Sequence, residues 1–342
     1  MNEYATSSPD IATDPFGERG ARISRWRARV LGATFEFSSN SRELLSLAQE
    51  AFARVPQHRW PRSFRRTLRV SLVHVRDGAS PDWATPPRPV LSSGGGLLCG
   101  HVDSRNFMVA DPTADRALLQ VGDALLKHRD LVRYELIEFA AITLATRSQG
   151  LVSLHAGCVG ARGRGVLLVG SSGAGKSTLA LHAAFDGLDF LAEDSVFVQP
   201  ASMCATGLSA FVHAREDAIR LFDDHESRRV ARRAPLIQRR SGVRKHEIDL
   251  RRGRARLAPK PLRIVATVVV SSRQVPGAPA LEPLTAKELK RILRTEQSYA
   301  VGQPGWQEFE QRALRAGGFR LNRVPPSDGV SSLRALFENH RS

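Results

Sequence analysis

"LHAGCVGARGRGVLLVGSSGAGKSTLALHAAFDGLDFLAEDSV", residues 154–196, decides how this chain of 342 residues is read. Inside it, Gly170-Ser171-Ser172-Gly173-Ala174-Gly175-Lys176-Ser177 satisfies the GxxxxGK[ST] pattern in full. The run VLLV before it reads as a buried strand, and STLALHAAF after it as a helix. Glycines at 170, 173 and 175 let the backbone take positive φ and turn its N–H groups inward onto phosphate oxygens. The N-terminus of the following helix adds partial positive charge. Lys176 is then expected to reach the β and γ phosphates of a nucleotide and the Ser177 hydroxyl to ligate Mg²⁺, with Thr178 closing the nucleotide-contacting stretch.

The residues after the loop narrow the chemistry. The run LDFLAEDSVFV predicts a strand, Phe190 to Ala192, reached after a single helix, so Glu193 and Asp194 end that strand near the loop. In common phosphate-loop NTPases the second metal-binding acid lies much further along. Phosphoryl transfer needs an ion that clamps the phosphates and a base that aligns the nucleophile, and two acids at one strand end can divide those tasks. Upstream, two short apolar strands, 151–159 and 166–169, are joined by a Gly/Arg turn at 160–165 and form a hairpin that feeds the loop. Read from the residues alone, His155 fits a structural role as well as a place beside the phosphates.

Three motifs in order and spacing, LHAGCV with His155, GSSGAGKS 15 residues beyond that histidine, and LAEDSV, resemble the kinase domain of HPr kinase/phosphorylase and the wider HPr-kinase-like group. The similarity runs over roughly residues 130–342. It includes weaker echoes in AREDAIRLF (214–222), RKHEIDL (244–250), RIVATVVVSS (263–272) and FRLNRVPPSDGVSSLRALF (319–337). The family's core is related to phosphoenolpyruvate carboxykinase, so the resemblance implies an α/β (α+β) fold with a carboxykinase-like phosphate-loop core. It also implies Glu193 in the position of the catalytic base, Asp194 as the metal-linked acid, and His155 beside the phosphates. The usual form of the last motif is a tandem aspartate, and this chain has Glu193 in its first place. The Glu-Ile-Arg-Gly-Leu-Gly stretch of the bifunctional enzymes is absent, and Thr178 stands where their loop has glutamate. Phosphorylase activity is therefore not expected. A Ser or Thr hydroxyl on a peptide or protein is the expected acceptor.

The remaining chain reads as a tail (1–28), a small α+β domain (29–128) and the kinase-like domain (129–342). In the small domain a short strand at Thr34–Phe37 precedes a helix capped by Ser39 or Asn40, with Leu44, Leu45, Leu47, Ala48 and Phe52 on its apolar face. TLRVSLVHV (67–75) alternates as a half-buried strand, a Pro-rich loop spans 81–90, Gly94–Gly96 form a turn, and a hairpin covers about 97–110. LVRYELIEFAAITLATR (131–147) predicts a helix through Val132, Leu136, Phe139 and Ala140.

The chain is basic, with a formal net charge of +16. Residues 228–263 hold 14 lysines and arginines against only Glu247 and Asp249, a concentration that suggests an anionic partner. Arg244 and Lys245 are the candidates there for cations on the transferred phosphoryl group. Nucleic acid is kept as a secondary partner of that segment, although no aromatics are interleaved in it. Cys99, Cys158 and Cys204 lie far apart without a CxxC pair and are expected to be reduced thiols. No apolar run approaches a membrane span and the first residues have no apolar stretch, so a cytoplasmic location is expected, with a homo-oligomer open. The expectation is an ATP- and Mg²⁺-dependent serine kinase. Its rivals are a small-molecule kinase on the same core and a nucleotide-gated regulator that binds nucleic acid without transfer.

Overall fold

The structure, a computed structural model, describes residues 22–60, 66–76, 83–208, 210–222, 225–238, 243–273 and 277–339. Among the described residues it is a mixed α/β molecule with three sheets.

The first sheet has seven strands in the order Ser24–Val30, Ala33–Ser39, Thr67–Val75, Arg116–Gly122, Phe107–Asp111, Leu97–His101 and Val90–Gly94. Of the segment read as a tail, residues 1–21 lie outside the described residues. The rest is corrected by the strand Ser24–Val30, which pairs with Ala33–Ser39 and alternates arginines outward, a polar face that a search for apolar runs passes over. The helix Arg42–Phe52 is capped by Ser41, whose Oγ accepts from the Leu44 N–H, and not by Ser39 or Asn40. Ser39 instead donates to the Leu72 carbonyl, and Asn40 exchanges two hydrogen bonds with the His74 backbone, so both stitch neighbouring strands. Gly95 and Gly96 turn the Val90–Gly94/Leu97–His101 hairpin at φ 58° and 82°.

The helix expected at 131–147 is present but begins as a π-helix, Val132–Glu138, before the α-helix Phe139–Gln149. A wider turn carries Arg133 inward to 1% exposure. The helix packs against the first sheet: Val132, Leu136, Ala140 and Leu144 share one core with Phe35, Val70 and Leu119. By packing, then, the N-terminal unit extends past residue 128 to about Leu151, because the helix's apolar face has its partners there.

The second sheet carries the Gly170–Ser177 loop. Its order is Arg256–Leu257, Asp189–Ala192, Gly157–Ala161, Arg164–Val169, Leu262–Val270, Cys204–Gly207, Ser195–Gln199 and Val152–His155. The end of Leu262–Val270 also pairs with Gly318–Leu321, which pairs in turn with Leu281–Leu284. Alternation along Arg164–Val169 sends Val166 and Leu168 into a core with the helices Lys176–Phe185 and Pro326–Asn339. Leu167 and Val169 enter the opposite core, against Ala286–Glu296 and Trp306–Ala316. The sheet is thus covered by helices on both faces. The upstream hairpin is tighter than expected, turning at Arg162 and Gly163, and its first strand breaks at Ala156 into Val152–His155 and Gly157–Ala161.

A third sheet of Phe211–Ala214, Arg244–Asp249 and Leu236–Gln238 closes the side of the molecule. No helix among the described residues is long and apolar enough to cross a membrane.

Candidate phosphate-binding site

The strand Gly157–Ala161 is antiparallel to both Arg164–Val169 and Asp189–Ala192. Those two strands therefore run the same way, one strand apart, and Gly170 and Glu193-Asp194 emerge at the same end of the sheet. The acids come after the loop by a single helix because this inserted antiparallel strand separates the two parallel ones.

Gly170, Gly173 and Gly175 take φ of 145°, 82° and 105°, the left-handed region that side chains disfavour. A Cβ on Gly170 would also lie 2.6 Å from the Val270 carbonyl oxygen, so the loop leaves its strand where the neighbouring backbone excludes a side chain. Ser171, Ser172 and Gly173 are exposed at the loop tip, while Ala174, Ser177 and Thr178 are half-buried. Lys176, at 6% exposure, heads the helix Lys176–Phe185 and donates to the Gly170 carbonyl at 2.6 Å and the Ser171 carbonyl at 3.2 Å. Burial lowers its pKa, and the charges of Asp194 and Glu296 oppose that shift.

Asp194 and His155 are brought together. The Ala156 N–H donates to the Asp194 carbonyl at 3.1 Å, and Ser195 pairs with His155, so the two side chains stand side by side. His155 Nδ1 lies 2.6 Å from Asp194 Oδ1, with both side chains half-exposed. Burial pushes the Asp194 carboxyl up, but the His155 hydrogen bond and charge, with Lys176 and Lys245, outweigh it and hold the pKa below the ordinary carboxylate value. Lys245 therefore joins the site electrostatically. Arg244, its neighbour on the strand, is exposed, and among the described residues no contact ties it to the loop.

Glu193 goes the other way, as the alternation of a strand dictates. It is 8% exposed, and its Oε1 accepts from both the backbone N–H (2.9 Å) and the Nδ1 (3.0 Å) of His213. Its Oε2 is buried without a hydrogen-bond partner. Beyond His213 a chain of charges crosses to the N-terminal unit. Tyr134 donates to Glu247 and lies 2.9 Å from His213 Nε2, and Arg133 bridges Glu247 to Glu50. Glu247 thus meets an arginine, a phenol and an imidazole, and its pKa is held at about 2: burial pushes it up, and His213, Arg133 and Tyr134 pull it down further. The base position that the resemblance gives to Glu193 is therefore occupied by a side chain turned into this network, while the carboxylate open toward Lys176 is Asp194.

Sequence reading missed a second feature. The strand Val152–His155 ends the main strand order, so one side of its backbone has no strand partner there. Two side-chain amides stand in for one. Gln297 Oε1 accepts from the His155 N–H at 2.8 Å and its Nε2 donates to the His155 carbonyl at 2.9 Å. Gln303 treats Ser153 the same way, at 2.8 and 3.3 Å. Gln297 comes directly after the helix Ala286–Glu296, whose Glu296 acts on Lys176. No local sequence signal marks these glutamines. His213 and Glu247 were visible only as polar residues inside alternating strands, Glu247 being an acid in a basic run.

Ser177 and Asp194 are one hydroxyl and one carboxylate on the loop's side of the sheet. Among the described residues no cluster of three or more His, Cys, Asp or Glu could hold a metal by itself. That donor set fits Mg²⁺, which is held by one or two carboxylates together with substrate phosphates and water. Cys99, Cys158 and Cys204 are free thiols, and burial pushes the Cys158 pKa up. In comparison with known proteins, no family model matches this chain, and no curated protein matches it.

Proposed function

We propose that the protein is an ATP- and Mg²⁺-dependent phosphotransferase that moves the γ-phosphoryl group to a Ser or Thr hydroxyl of a peptide or protein. The observation that carries this reading is the convergence of the Gly170–Ser177 loop, Lys176 and the His155–Asp194 pair at one end of two parallel strands. Loop amides and the Lys176 ammonium would bind the nucleotide's phosphates, and Ser177 and Asp194 would hold Mg²⁺, which neutralises charge on the β and γ oxygens when bound. Asp194 is ionised well below neutrality, as a metal-holding carboxylate must be. His155, fixed through Nδ1 to Asp194 and through its backbone to Gln297, leaves its other ring nitrogen for the acceptor hydroxyl. Lys245 adds positive charge on the same side. Glu193 has a structural part in this reading, anchoring the third sheet through His213.

The test is a partition of label. γ-Labelled ATP is incubated with Mg²⁺, the protein and an extract of its source cells, and label is traced into polypeptide, small-molecule and free-phosphate fractions. The reading expects label in polypeptide, lost in Lys176→Ala. Label confined to a metabolite would move the protein to the small-molecule kinases, and nucleotide binding without transfer would refute a kinase.

A further inference from the structure

The basic run at 228–263 does not stay together in the fold. Arg251 is pinned to both oxygens of Asp249 and to the carbonyls of Glu50 and Ala53. Arg256 meets Asp189 at 2.6 Å, Arg252 meets Asp249, and Arg254 lies 3.9 Å from Glu226. Among the described residues Arg244, Lys245, Lys260 and Arg263 are spread elsewhere in the fold, and the densest cluster lies on one helix, His225–Arg232, with Arg233 just beyond it. Residues 225, 228, 229 and 232 of the helix and 233 just beyond it keep the i, i+3, i+4, i+7, i+8 spacing, which puts them on one side, while Ser227 and Ala231 are buried on the other. His225, Arg228, Arg229, Arg232 and Arg233 line a recess of about 260 Å³. Arg228 Nε in it is buried with no hydrogen-bond partner among the described residues. Arg232 is shared with Glu216 at 3.0 Å, whereas Arg229 and Arg233 have no carboxylate partner among the described residues.

We propose that this recess docks an acidic segment of polypeptide. Three arginines of the helix and Arg233 just beyond it line one small space, and guanidinium groups are the side chains that receive carboxylates bidentately. A nucleic acid needs a continuous cationic track with rings for its bases. Here Arg251, Arg252, Arg254 and Arg256 are bound to carboxylates, Arg232 is shared with Glu216, and among the described residues the one ring lining the recess is that of His225. The chain after the helix is stitched to the strand Arg244–Asp249 by Glu247 N–H to Pro235 carbonyl (2.8 Å) and by His246 to Ala234. That strand carries Lys245, so the recess and the Asp194 side of the phosphate loop share a rigid element. Binding of the segment rests on the recess alone; its identity as part of the phosphorylated acceptor rests on the kinase reading.

The experiment measures fluorescence anisotropy of a labelled deca-glutamate peptide and a labelled ten-nucleotide oligothymidylate on the full chain at physiological salt. Three proteins are compared: wild type, Arg229→Glu/Arg233→Glu, and a control of equal charge change on the exposed Arg88 and Arg116, R88E/R116E. The proposal expects the peptide to bind more tightly than the oligonucleotide, at least tenfold loss in R229E/R233E, and less than twofold in the control. Tighter oligonucleotide binding, equal losses in both variants, or no peptide binding to wild type overturns it. A fluorescent ATP analogue is titrated in parallel. Peptide binding as expected with no phosphoryl transfer to any polypeptide would leave the recess standing and remove the kinase reading.

Discussion

Replacing Gln297 by leucine removes two hydrogen bonds while keeping the volume of the side chain approximately constant. The amide now satisfies both the N–H and the carbonyl of His155, and Gln297 is 2% exposed, so water does not replace it freely. Each buried backbone group left without a partner costs about 1–3 kcal/mol, and roughly 2–6 kcal/mol is expected for the pair. In a chain of this size that is a fall of about 3–8 °C in Tm, measured by circular dichroism or calorimetry. Gln303→Leu strips the same two groups from Ser153 and is expected to destabilise by a similar or smaller amount, because Gln303 is less buried. The two variants must differ in function. Gln297 fixes the residue whose ring holds Asp194, so phosphoryl transfer at a temperature where both variants are folded should fall at least tenfold in Gln297→Leu and less than threefold in Gln303→Leu. Equal losses of transfer, or an unchanged Tm in Gln297→Leu, would refute the claim that this amide positions His155.

Three further outcomes are expected from the same geometry. Gly170→Ala, whose Cβ meets the Val270 carbonyl at a φ of 145°, should weaken binding of a fluorescent ATP analogue by more than tenfold. Glu247, 8% exposed, has a folded pKa of about 2 against an ordinary 4.5, a depressed value whose stabilisation is complete above pH 4.5 and is lost as pH falls toward 2. About 3 kcal/mol should disappear from the unfolding free energy between those pH values. Glu247→Gln, which leaves Arg133 short of a carboxylate, should be less stable at pH 7 by about 3–5 kcal/mol and flatter over the acid range; a parallel pH curve would contradict this. Cys158, fully buried beside Leu167 on the strand next to the one that leads into the Gly170–Ser177 loop, should resist a thiol reagent in the native protein while Cys99 and Cys204 react.

The parts legible in the sequence were those with a local cause. The loop, the helix behind it and the strand ending at Ala192 arise from glycine spacing and apolar runs, and each is present. The strand at Arg244–Asp249 likewise falls on RKHEIDL, whereas the helix Pro326–Asn339 covers a stretch to which the sequence reading assigned no element. The direction of Glu193 was not legible, because which of two adjacent acids faces the loop depends on an antiparallel strand inserted between two parallel ones. The network from Glu193 to Glu50 joins elements far apart along the chain, with Arg133 bonded to both Glu50 and Glu247, and nothing in either neighbourhood announces the other. The π-turn that buries Arg133 is of the same kind: the helical period was correct, and the wider turn answers to carboxylates contributed by other elements. The glutamine clamps on Val152–His155 meet a need of an open sheet edge that only the assembled sheet reveals.

The most direct test of the account compares initial rates of label transfer from γ-labelled ATP to polypeptide for wild type, Asp194→Asn and Glu193→Gln. Unfolding of each variant is measured beside the rates. If Asp194 serves the phosphates and Glu193 serves the fold, Asp194→Asn loses transfer by at least a hundredfold with a smaller loss of stability than Glu193→Gln. Glu193→Gln then loses stability but retains transfer within tenfold where it is folded. A stable Glu193→Gln without transfer, beside an Asp194→Asn that keeps it, would contradict the assignment.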